Sequence, residues 1–332
     1  MKLSIGIVGL PNVGKSTLFK ILTKQPVNIA NYPFCTIDPN VGVVSVPDER
    51  LDKLAAMNTS AKKIPAVVEF YDIAGLVKGA AEGEGLGNQF LSHIKEVQAI
   101  ALVLRCFPST DIIHVENSVD SVRDLEIVNT ELILKDLESV ERRLKKEESE
   151  AKTGKKEAVR NFDVLTRIKG KLQKGELLTE FVDEPLLRDM PLLAAKKQLY
   201  VLNGRPEDVS QKLQERIQQM GGEVIVADFS TASEIPELIQ AAYRTLTLMS
   251  FFTTGEDESR AWTIPRHTKA PQAAGVIHTD FEKKFIRAEV VNWQKLLAAG
   301  SWVKAQSQGL IRTEGKDYIL EDGDVIIVRH AR

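Results

Sequence analysis

Gly9, Gly14, Lys15 and Ser16 stand at the spacing G-x-x-x-x-G-K-S, directly behind the apolar run Leu3, Ile5, Ile7, Val8 and ahead of a helical pattern that begins near Ser16. Strand, glycine-rich turn and helix in that order form a phosphate cradle: the turn aims backbone N–H groups at an anion, and the positive end of the helix favours the same charge. In this arrangement Lys15 reaches the β- and γ-phosphates, Ser16 offers a hydroxyl to Mg2+, and Asn12, Val13, Gly14 and Thr17 complete the wall of the cradle. A second stretch, AVVEFYDIAGLVKG, places Asp72 at the end of an apolar strand with Gly75 three positions on. This is D-x-x-G, in which the aspartate holds the metal through its water and the glycine N–H meets the γ-phosphate. Between the two lies Thr36, in a loop rich in Pro and Asn, where a hydroxyl completes a Mg2+ shell when the γ-phosphate is present.

The base is addressed later in the chain. Guanine is commonly read by N-K-x-D, whose aspartate accepts from the ring N–H and the 2-amino group, a pair adenine does not offer. Here the strand Leu199–Leu202 ends at Asn203, Gly204, Arg205, Pro206, so lysine and aspartate are both missing and proline brings no side-chain acceptor. Asn203 with the backbone near Gly204 is therefore expected to take adenine, making ATP the preferred ligand and GTP the weaker one; the other expectation is a shifted loop in which Glu207 meets a base edge. His114 lies on a segment beyond the strand Ala99–Cys106, where an imidazole could position water at the γ-phosphate; the alternative is a surface histidine.

The elements that must hold these residues are α/β in pattern. Strands and helices alternate from the N-terminus and resume at Leu199–Leu202 and Val224–Phe229, as a largely parallel sheet requires. From about Val119 apolar residues recur at helical steps (Val122, Leu125, Val128, Leu132, Val140, Leu144), and a second run, Val159 to Leu172, follows a turn near Gly154: an antiparallel helical hairpin. Residues 141–174 carry twelve basic and six acidic side chains, so this arm is basic on a chain whose 44 basic and 46 acidic residues leave a net charge of -2. Any attraction to nucleic acid must come from such a patch and not from the whole molecule. From about Phe251 short strands separated by Pro271, Gly275 and the Asp322–Gly323 turn form a further unit, whose His267, His278 and His330 show no metal-ligand spacing. Two cysteines, Cys35 and Cys106, are too few for a disulfide framework or a four-thiolate site, and no apolar run is long enough for a membrane span. A cytoplasmic setting is expected, without a membrane or DNA partner.

These stretches, together with DIAGLVKGAAEGEGLGNQFL and NTELILKDLESVERRL, closely resemble the YchF subfamily of Obg-like ATPases over nearly the whole length. The resemblance implies Mg2+-dependent ATP hydrolysis, association with ribosomes and rRNA, and a P-loop NTPase domain (1–118 and 191–250) interrupted by a helical coiled-coil arm (119–190) and followed by a TGS domain of β-grasp type (251–332). It also implies a hydrophobic residue where many GTPases carry their water-orienting glutamine, here Leu76. Asn12 resembles the asparagine that helps hold K+ near the phosphates in related GTPases, which makes K+ a candidate beside Mg2+. Gly75 and His114 join Lys15 as the catalytic candidates. Two other readings stay open: a GTPase of the Obg type, and a ribosome- or RNA-binding module in which nucleotide only sets conformation. The segment Gly175–Ala195 is short for the family's return path from the arm.

Overall fold

The structure, a computed structural model, describes residues 4–24, 27, 32, 40–73, 91, 93–108, 114–115 and 118–331. Thr36, Gly75 and Leu76, together with Cys35, lie outside the described residues. The chain divides into two compact units: one holds the described residues among 1–25, 36–42 and 69–241, the other those among 26–35, 43–68 and 242–332.

Among the described residues up to Ala227, seven strands form: β1 (Ser4–Val8), β2 (Val41–Ser45), β3 (Lys62–Ile64), β4 (Val67–Asp72), β5 (Ala99–Arg105), β6 (Lys197–Asn203) and β7 (Glu223–Ala227). All but β3 assemble into one six-stranded sheet of order β2-β4-β1-β5-β6-β7. β1 pairs in parallel with β4 on one side and β5 on the other, and β5, β6 and β7 continue in parallel. Every residue of β1 and β5 is buried, the mark of strands covered on both faces. Because β1 sends the chain to one side and β5 to the other, the carboxyl end of β1 is the switch point at which open parallel sheets bind ligands. The phosphate-loop residues follow β1 directly.

The arm is an antiparallel pair of helices, Ser121–Ala151 and Lys156–Leu172. Asp120 starts the first, its Oδ1 accepting the N–H groups of Val122 and Arg123 at 3.1 Å each. Val140, Leu165, Ile168 and Leu172 form its seam, and the residues after it close the core: Leu178, Phe181, Leu186, Leu192 and Ala194 pack into the same cluster. The return path expected to be short is thus a cover for the hairpin. Asp136, fully buried on the first helix, accepts the N–H groups of Leu193 (2.9 Å) and Ala194 (2.7 Å) and fixes where that cover enters β6.

In the second unit β8 (Leu248–Thr254), β9 (Glu258–Pro265), β10 (Phe285–Asn292), β11 (Arg312–Glu314) and β12 (Asp324–His330) join β3 in a sheet of order β11-β10-β12-β8-β9-β3. Met249, Phe251, Ile264, Ala273, Phe285, Val290 and Ile326 form its core. Two boundaries differ from those read in the sequence. The unit's first strand begins at Leu248, and residues 43–68, assigned above to the first part of the NTPase domain, belong with 242–331. The physical reason is β3: Lys62 and Lys63 are exposed and only Ile64 is buried, so this strand serves as an edge, pairing in parallel with Glu258, Ser259 and Arg260 of β9. Among the described residues no helix is long and apolar enough to cross a membrane.

Candidate nucleotide site

The loop after β1 is built around two positions that accept only glycine. A Cβ on Gly9 would stand 2.5 Å from the Val103 carbonyl oxygen of β5, so the turn presses against the neighbouring backbone. Gly14 has φ +107, and its Cβ would lie 2.6 Å from Asn203 Nδ2 and 3.0 Å from the Phe229 ring. Asn12 between them is left-handed (φ 62), a conformation asparagine tolerates better than most residues. The helix Lys15–Leu22 then begins with no side-chain cap and no acidic residue in its first turn. Its leading N–H groups and the positive end of its dipole are left for an anion.

Lys15 is buried, and its Nζ donates to the Leu10 carbonyl oxygen at 2.7 Å. Burial lowers its pKa to about 8, with the nearby Asp72 carboxylate pulling the other way. Asp72, half-buried at the end of β4, is raised above the usual carboxylate range by the same desolvation, opposed by Lys15 and by its bond from Ser16. Both partners are thus less readily charged than in water, so desolvation outweighs their mutual attraction. Ser16 Oγ lies 3.4 Å from Asp72 Oδ2. A hydroxyl and a carboxylate from two elements, side by side at the mouth of the loop, are hard oxygen donors of the kind Mg2+ takes when phosphates and water supply the rest. No group of three His, Cys, Asp or Glu side chains suited to a metal occurs among the described residues.

Asn203, at the end of β6, is held by partners within the protein. It is buried; its Nδ2 donates to the Val13 carbonyl oxygen at 2.9 Å, and its Oδ1 accepts the Phe229 N–H at 3.3 Å. The amide ties the phosphate loop to the segment leaving β7, with one N–H and one lone pair left over. The Gly204 N–H donates to the Ala227 carbonyl oxygen (3.1 Å), so this backbone donor is engaged in the sheet and does not face a base. Glu207 is exposed in the short turn Pro206–Asp208, and it is Asp208 that turns inward, its Oδ2 accepting the Arg205 N–H at 2.9 Å. Arg205 Nε approaches Asp228 Oδ2 at 3.6 Å.

His114 is not on the surface. It is 4 % exposed, and its Nε2 lies 2.8 Å from Asp124 Oδ2 in the first turn of the long arm helix. Asp124 is wholly buried and also takes Arg123 at 3.1 Å; burial raises its pKa, with Arg123 and His114 opposing. A buried carboxylate needs compensation, and the imidazole stands within ion-pair distance of it. In this structure the ring stands at the anchor of the arm. Ser121 Oγ completes that anchor by donating to the Arg105 carbonyl oxygen of β5 at 3.0 Å. Sequence reasoning missed Asp124 and Phe229. The signal for Asp124 was its place four residues before Val128 and eight before Leu132, on the buried stripe. Phe229 gave no local signal, since its contact is with the Gly14 turn.

Residues 4–162 match a family model described as a 50S ribosome-binding GTPase, and residues 248–331 match one named YchF-GTPase_C, described as a protein of unknown function. The ribosome-binding ATPase YchF of Bacillus subtilis is 45 % identical, with 99 % of each chain covered. Obg-like ATPase 1 of rice is 41 % identical, over 98 % of this chain and 92 % of that protein. Among solved structures, the YchF GTPase of Schizosaccharomyces pombe superposes with a TM-score of 0.81 at 38 % identity, covering 99 % of this chain and 98 % of that one.

Proposed function

Because this chain belongs to the YchF family, we propose that it is a Mg2+-dependent ATPase that cleaves the β–γ phosphoanhydride and works as a ribosome-associated switch in the cytoplasm. The observation that carries this reading is the convergence of Lys15, Ser16 and Asp72 at an uncapped helix start behind the Gly9–Gly14 turn. A triphosphate there exchanges the Leu10 carbonyl for phosphate oxygens at Lys15 Nζ and takes the free N–H groups from Gly14 onward. Ser16 and Asp72 would hold Mg2+, joined by Thr36; the ion neutralises charge on the β- and γ-phosphates. Gly75 is assigned the γ-phosphate contact, Asn12 a K+ site, and Asn203 the bracing of Val13 beside the base. Leu76 offers water no hydrogen bond, so slow unaided turnover is expected.

ATP is preferred over GTP on chemical grounds: Pro206 stands where an acceptor for guanine would be, and Asp208 is engaged with the Arg205 backbone. The basic arm and a C-terminal unit of TGS type would make the ribosome contacts, in keeping with the names of the relatives. The test is hydrolysis by purified full-length protein with Mg2+, with and without K+, beside Lys15→Ala. Phosphate release that depends on Mg2+ and is lost in the variant is the expected result. Release at background in every condition would overturn the enzymatic reading, and equal displacement of bound nucleotide by ATP and GTP would overturn the base preference.

A further inference from the structure

Strand β7 is the open end of the parallel sheet, and it is unlike its neighbours. None of its five residues is buried, although the central three are Val224, Ile225 and Val226. The Ala227 carbonyl faces β6, where it accepts the Gly204 N–H. Backbone groups alternate in direction along a strand, so those of Val224 and Val226 point away from the sheet. Natural edge strands are commonly blunted by a charge, a proline or a bulge in mid-strand; β7 has none of these. Beside it lies a cavity of about 350 Å³ between the strand, the turn that follows it and the start of the helix Pro236–Thr245. Val224, Val226, Ala232 and Ile235 line it with apolar groups, and Asp228, Glu234 and Glu237 with carboxylates; Asp228 is paired with Arg205 at 3.6 Å, and no basic side chain lines the cavity itself among the described residues.

The geometry points to a docking site for an extended basic segment of a partner protein, one with alternating apolar and Lys or Arg residues, that adds to the sheet along β7. Its backbone takes the outward groups of Val224 and Val226, its apolar side chains enter the cavity, and its cations meet Glu234 and Glu237. Charge complementarity chooses this occupant. RNA is repelled by these carboxylates, since its affinity comes from cations that neutralise phosphate. A second copy of the chain, paired edge to edge, would set two groups of carboxylates against each other.

The test uses full-length protein and two labelled synthetic peptides, one alternating valine and lysine, the other valine and glutamate. Fluorescence anisotropy should show binding of the lysine peptide alone, and hydrogen exchange should slow over residues 223–227 when it binds. The Glu234→Lys/Glu237→Lys variant should weaken that binding at least about tenfold, because two attractions become repulsions. Val226→Pro, which removes an outward N–H, should abolish the protection; if that variant does not fold, the charge-reversed pair still decides. Nucleotide affinity, read in the same samples, should not move, which separates this site from the phosphate site. Unchanged affinity in the charge-reversed variant, no binding, or unchanged exchange at 223–227 would overturn the proposal. A dimer that protects 223–227 without peptide would replace the basic partner with a second copy.

Discussion

Lys15 offers a sharp test of the phosphate site, because burial has moved its titration into an accessible range. In the free protein its pKa is lowered to about 8. Bound phosphates bring several negative charges to the ammonium and raise the value well above that. Nucleotide binding must therefore take up a proton wherever free Lys15 is neutral. With a free pKa near 8, roughly 90 % of the protein is protonated at pH 7 and roughly 3 % at pH 9.5. Affinity should accordingly fall about 30-fold between these pH values, equivalent to about 2 kcal/mol. Isothermal calorimetry in buffers of different ionisation enthalpy should find about 0.1 proton taken up at pH 7 and about 0.9 at pH 9. Lys15→Arg, charged throughout this range, should remove the dependence whatever its absolute affinity. The stability of the free protein has the opposite sign. A lysine whose folded pKa is depressed binds fewer protons when folded, so its contribution makes the free protein more stable as pH rises from about 8 to about 10.4. Affinity that stays flat from pH 7 to 9.5 with no proton uptake would show that burial does not depress the Lys15 titration in the free protein, and Lys15→Ala then decides the phosphate contact.

Three further outcomes follow from the same geometry. Asn203→Ala strands the Val13 carbonyl and the Phe229 N–H; it should cost about 2–3 kcal/mol in denaturant unfolding and weaken nucleotide binding at pH 7, whereas a residue that only read the base would alter ATP-to-GTP selectivity and leave stability alone. Gly14→Ala must place a Cβ 2.6 Å from Asn203 Nδ2 at φ +107, so binding of a fluorescent nucleotide should drop by at least about tenfold while circular dichroism stays native. Asp136→Ala leaves the N–H groups of Leu193 and Ala194 unpaired in the arm's core; hydrogen exchange at residues 178–195 should accelerate with a loss of about 2–4 kcal/mol locally, and exchange unchanged there would show that the return segment is held by its apolar contacts alone.

What could be read from the chain before its fold, and what could not, divides along a physical line. β1 and β5 are continuous apolar runs, the phosphate loop is defined by residues within eight positions of each other, and the hairpin announces itself by helical periodicity; each of these signals is local. Asn203 was found by its place at the end of β6, but its protein partners were not, because an asparagine's partners are decided by what stands opposite it in space. Here Val13 lies 190 positions away and Phe229 only 26. His114 shows the same limit: in the sequence it is a polar residue past a strand, and the carboxylate it stands beside, at the start of the arm helix, is given only by the fold. β3 is the extreme case, three residues with two lysines whose strand character exists only through a partner strand nearly two hundred residues on. One arrangement follows from taking these together. The switch-point end of the sheet touches the arm through Arg105, Ser121, Asp124 and His114, and touches β7 through Asn203 and Phe229. Of these, Asn203 and Phe229 also border the phosphate loop, at the Val13 carbonyl and the Gly14 turn. Asn203 holds the loop's side of this arrangement through two hydrogen bonds, to the Val13 carbonyl and from the Phe229 N–H, so its loss is felt in folding stability and in nucleotide binding together.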